Sequence, residues 1–86
     1  MEVLRVSSKS EPKSVAGAIA AILRNGNSVE VNAIGAAAVN QVVKSIAVAR
    51  KYVEPNGIEL VCYPEFSQQE VDGKEKTYIK FVVEKR

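Results

Sequence analysis

The sequence predicts an α+β fold of two layers, in the order β-α-β-α-β-β, with two helices packed on one face of a mixed sheet. Three observations point there. Two segments of helical period alternate with short runs in which apolar and polar residues take turns. Beyond Ile58 the chain is strand-like on both sides of Asp72-Gly73, a two-residue hairpin signal. No linker, internal repeat or low-complexity tract divides residues 1–86, so one domain is expected over the whole length.

The elements follow in order. Val3 to Val6 reads as a short first strand, and the polar stretch from Ser7 to Ser14 follows it. Proline is tolerated in a first helical turn, so Pro12 fits a helix start that Ser10 or Ser14 would cap. Val15, Ile19, Ile22 and Leu23 then fall on one helical face, and Asn25-Gly26 ends the helix. A second strand spans Ser28 to Ile34, with Val29, Val31 and Ala33 alternating with Glu30 and Asn32. After Gly35 and three alanines comes a second helix of about four to five turns. Val39, Val42, Val43, Ile46 and Val53 form its expected apolar stripe, and Glu54-Pro55-Asn56-Gly57 stops it. IELVCYPEF reads as a strand up to Pro64, and KTYIKFVVE pairs back on it after the turn. Two strand–helix–strand crossovers of one hand place both helices on the same side.

Bulk properties narrow the function classes. A chain of 86 residues buries only roughly 60–65% of its unfolded surface, so it is marginal alone. Its single cysteine cannot close an internal disulfide, and without histidine no cysteine–histidine zinc site can form. Association with itself is therefore expected, as a homodimer or a larger homo-oligomer. The N-terminus lacks the apolar core of a signal peptide, and charges interrupt every stretch that could span a membrane. A cytoplasmic protein with no membrane partner is expected. Twelve basic residues against ten acidic ones give a net charge of +2, too small an excess to indicate nucleic acid by itself. The distribution is more telling: Arg5, Lys9, Lys13, Arg24, Lys44, Arg50 and Lys51 outweigh Glu2, Glu11 and Glu30 in residues 1–53.

Catalytic inventory is thin. No histidine is present, and the lone aspartate, Asp72, belongs to a turn. Cys62 has no histidine to act as its base and is expected as a packed core thiol. The glutamates show no spacing that would force two carboxylates into one site. No enzyme, no metal and no cofactor is expected.

Anion binding has better candidates. Gly35 opens a helix whose N–H groups could meet a phosphate, yet neither the dinucleotide fingerprint nor a P-loop surrounds it. A special backbone angle at Gly35, and close packing through Ala36 to Ala38, is the expected role. The first helix is also rich in small residues, suggesting tight helix contacts. The loop containing Ser8, Lys9, Ser10 and Lys13 offers hydroxyls and ammonium groups before a helix N-terminus, a combination suited to phosphates. Asn40, Gln41 and Lys44 on the second helix, and Lys74 and Lys76 on the hairpin, complete the candidate nucleic-acid contacts. Tyr52, Tyr63 and Tyr78 are expected to be partly in the core, leaving few aromatics for single-strand stacking.

Three long stretches carry a family resemblance: VLRVSSKSEPKSVAGAIAAILR, AIGAAAVNQVVKSIAVARKYV, and GIELVCYPEF with VDGKEKTYIKFVVE. Through them the whole chain resembles the stage V sporulation protein S family, similar in topology to the Alba superfamily of small chromatin and RNA-binding proteins. The resemblance implies a dimeric, non-enzymatic regulator of sporulation that binds DNA or RNA. The basic Alba loop falls on Lys9 and Lys13. The arginines that usually flank the second-helix glycine are replaced by Ile34 and Ala36, and the hairpin, commonly basic, is nearly balanced in charge. Two of three contact regions depart from the pattern. The alternative that this leaves is an assembly or adaptor protein whose surface binds protein partners.

Overall fold

In the computed structural model, which describes residues Met1–Arg86, the strands are β1 (Glu2–Val6), β2 (Val29–Ala33), β3 (Leu60–Val71) and β4 (Lys74–Lys85). The helices are α1 (Pro12–Arg24) and α2 (Ala36–Val53), and a short 3₁₀ turn at Glu54–Asn56 follows α2. The sheet order is β1-β2-β4-β3. β1 runs parallel to β2, whereas β4 is antiparallel to both β2 and β3. The expected order and the mixed sheet are both present.

Register fixes what each side of the sheet carries, because successive side chains point to opposite faces. Leu4, Val31 and Phe81 stand in one cross-strand row, and Val6, Ala33 and Ile79 in the next. These residues form the core with Ala16, Ile19, Ala20 and Leu23 of α1 and Ala38, Val42, Ala49 and Val53 of α2. Arg5, Asn32, Lys80 and Glu65 make a polar row on the uncovered face. Lys80 Nζ lies 3.6 Å from Glu30 Oε1 there, and Asn32 Nδ2 donates to Glu30 Oε2 at 3.1 Å.

The stripe of α2 differs from its expectation. Its buried positions are Ala38, Val42, Ser45, Ala49 and Val53, while Val43 is 52% exposed. Val42 and Val53 hold as expected; Val39 and Ile46 are partly buried. Ser45 sits inside at no cost in unpaired groups, since its Oγ donates to the Gln41 carbonyl oxygen at 2.7 Å. Small side chains at 38, 45 and 49 let α2 lie close to its neighbours. The small residues of α1 divide likewise: Ala16 and Ala20 are buried, Gly17 and Ala21 face solvent.

Helix ends also depart from expectation in one respect. The N-cap of α1 is Glu11, without a side-chain cap bond, and neither serine caps it. Ser10 Oγ instead accepts from the Ser7 N–H at 2.9 Å, and Ser14 Oγ donates to Glu11 Oε1 at 3.3 Å. At the C-terminus the Asn27 N–H reaches the Ile22 carbonyl and the Gly26 N–H the Leu23 carbonyl, a Schellman closure with Gly26 left-handed.

The β3–β4 hairpin is longer than the strand reading implies. β3 passes through Pro64, which an edge strand allows because the missing N–H can fall on the unpaired side. β2 pairs with β4 only from Ile79 to Val83, so Ser67 to Tyr78 projects beyond the sheet as an arm. Asp72 and Gly73 both have positive φ, 53° and 74°, as a type I′ turn requires.

Candidate nucleic-acid interface

The β1–α1 loop and α2 come together through the parallel course of the two helices. Gln41 Nε2 donates to the Ser10 carbonyl oxygen at 2.8 Å, which binds the loop to the second turn of α2. One turn further on, Lys13 and Lys44 line a single shallow depression with Pro12, Ala47 and Val48. Glu11 is the one acid at its rim. At the far end Arg24 Nη2 donates to the Tyr52 carbonyl at 2.8 Å, and its Nε donates to Asn56 Oδ1 at 2.9 Å. The bases of the loop and of α2, separate in sequence, thus share one surface.

The loop itself is a closed turn. The Ser10 N–H reaches the Ser7 carbonyl at 3.1 Å, and the Lys9 N–H reaches Ser7 Oγ at 3.2 Å. Those bonds occupy the hydroxyls of Ser7 and Ser10 locally, leaving the Lys9 ammonium as the loop's exposed charge. Asn40 is exposed on α2. Lys74 and Lys76 stand elsewhere, on the arm, at register positions that share the uncovered sheet face. On the arm's other face Glu70 and Glu75 are directly opposed, a like-charge pair.

A cleft of about 1080 Å³ lies between the start of α2 and the base of the arm, lined in part by Arg5, Ser8, Asn32, Gly35, Gln69 and Tyr78. Gly35 is the N-cap of α2 with φ 89° and ψ 156°, a region that only glycine enters without strain. A Cβ built there would meet nothing within 4 Å, so the backbone angle accounts for this glycine and a tight contact does not. Ala36 and Ala37 are exposed. Only Ala38 packs inside, at 2% exposure. In the same region Asn32 Oδ1 is buried without a hydrogen-bond partner.

The sequence reading missed the apolar edge. Cys62, expected in the core, is exposed, as are Pro64 and Phe66, the last at 84%. All three share the helix side of β3, where the helical layer covers Leu60 but leaves the strand beyond it open. Tyr63 is 47% exposed on the opposite face and Tyr52 39% on α2, so more aromatic surface meets solvent than expected. Partial burial still raises the Cys62 thiol above its ordinary value. The negative charge of Glu84 raises the Tyr63 hydroxyl, with desolvation, a hydrogen bond to Glu84 and the charge of Glu65 adding to it.

Topology and layer arrangement define an Alba-type fold. Alba from Thermoplasma volcanium superposes with a TM-score of 0.61 over 95% of each chain, at 12% sequence identity. The chain belongs to the stage V sporulation protein S family, whose family model matches residues 2–86 and whose name ties it to sporulation. No helix is long and apolar enough to cross a membrane.

Proposed function

We propose that this protein is a cytoplasmic, non-enzymatic regulator of sporulation that binds DNA or RNA as a dimer. The observation that carries this reading is the shared surface of Lys13 and Lys44, next to a loop with exposed Lys9 that the Gln41–Ser10 bond ties to α2. Ammonium groups beside a helix N-terminus contact phosphates without reading bases, so affinity without strong sequence preference follows. The test is Lys9→Glu combined with Lys13→Glu. Both residues are exposed, so the double variant lowers affinity for a labelled duplex while leaving the melting temperature unchanged. Unchanged affinity rejects the assigned site.

Dimerisation is supported by the helix side of β3, open beyond Leu60. The chain alone buries 17 of its 86 residues, and Phe66 stands almost fully in solvent. Val43 is two residues, about 200°, round the wheel from Gln41, so it lies on the flank of α2 turned away from the loop. A second copy covering Phe66, Pro64 and Val43 would remove this apolar surface from water. The same edge favours a second reading, an assembly protein with protein partners. A stable dimer indifferent to nucleic acid would support that one.

A further inference from the structure

None of the chain's ten acidic residues lies in either helix, whereas Lys13, Arg24, Lys44, Arg50 and Lys51 do. All five are exposed. Neither helix has an acid in its first turn; the N-cap Glu11 puts one charge at the positive end of α1, whereas Gly35 leaves the positive end of α2 uncompensated. The rest of the molecule is the reverse: outside the helices, the acids outnumber the bases. The molecule is therefore polarised across its two layers, the helical one basic.

We infer that the outer surface of the helical layer, from Lys13 and Lys44 along to Lys51, is the face that docks the phosphate backbone of nucleic acid, ahead of the hairpin arm. This rests on the proposed nucleic-acid function and names its surface. Lys44 and Lys51 are two turns apart on α2, about 10 Å along the axis. A duplex presents one negative charge per about 1.7 Å of its axis, so several phosphates lie within that span. Between the two lysines α2 exposes only Ala47 and Arg50. Gly17 of α1 is exposed too, with open space over it, so the surface between the bases is low. A membrane-binding helix would carry large apolar side chains here, whereas Tyr52, at the end of α2, is the only aromatic in either helix. A low, basic surface floored by small side chains suits a hydrated polyanion. The arm is poorer in this respect, because Glu70, Asp72 and Glu75 offset Lys74 and Lys76.

The experiment compares two double variants of equal net charge, Lys44→Glu/Lys51→Glu and Lys74→Glu/Lys76→Glu, by anisotropy of a labelled mixed-sequence DNA duplex across a salt series. The helix-face pair lowers affinity at least about tenfold and reduces the log–log salt slope by about 1.8, at about 0.9 per lost contact. The arm pair gives a smaller loss. Lys44→Gln/Lys51→Gln, which removes charge without adding repulsion, moves affinity in the same direction with its thermal melt intact. Wild-type binding that resists both helix-face variants but falls with the arm pair overturns the inference and leaves the nucleic-acid function standing. Absence of wild-type binding at low salt overturns both.

Discussion

Gln41 on α2 and Ser10 in the β1–α1 loop are joined by a 2.8 Å hydrogen bond, 31 residues apart in the chain. That bond determines where Lys9 and Lys13 stand relative to Lys44. Gln41→Ala removes the donor and leaves the half-buried carbonyl to water. A loss of about 0.5–1.5 kcal/mol is expected, read from denaturant midpoints. Because the loop is loosened, duplex affinity should fall although no charge has changed.

Two glycines should respond with opposite signs. Gly35→Ala forces a side chain into the φ 89°, ψ 156° region and should cost about 1–3 kcal/mol. Gly17 lies within α1 with nothing near its missing Cβ, so Gly17→Ala should stabilise by about 0.5–1 kcal/mol. Paired chemical denaturation curves decide both.

Phe66→Glu should abolish the proposed dimer, read as a fall to monomer mass in light scattering at micromolar concentration. The 84% exposure of Phe66 means that the monomer loses little packing, so its helical content should be retained. An unchanged particle mass would reject Phe66 as a contact between copies.

Alkaline pH has a defined sign. The Cys62 thiol is raised above 9.0, so the folded state holds the neutral form longer than the unfolded chain does. Its contribution is fully present below the unfolded value and is lost as pH rises from there through the folded one. Tyr63, raised above 10.0 chiefly by Glu84, acts in the same direction at higher pH. Cys62→Ala should therefore flatten the first part of the alkaline fall in melting temperature and change nothing at acid pH. An equal fall in both proteins would remove Cys62 as its source.

Local signals in the sequence were sufficient for element order, for the Asn25-Gly26 helix end and for the type I′ turn, because each depends on neighbours in the chain. The role of Gly35 was also legible, since an unfavourable φ is a property of one residue. Coverage was not. Val43 and Ser45 exchange places relative to expectation because the approach of α2 to its neighbours, and not hydropathy, decides which flank is buried. Cys62 and Phe66 have the pattern of a covered strand, but coverage of that face of β3 stops after Leu60. The grouping of Lys13 with Lys44 needed the parallel course of α1 and α2, which no spacing along the chain encodes.

The most direct test of the central claim is the salt dependence of binding to labelled duplex DNA, single-stranded DNA and RNA by the wild-type chain. Saturable binding is expected, with affinity falling as salt rises and a slope corresponding to a few phosphate contacts at about 0.9 each on a duplex. No binding to any of the three at low salt would contradict it, and the exposed edge at Phe66 would then direct attention to protein partners.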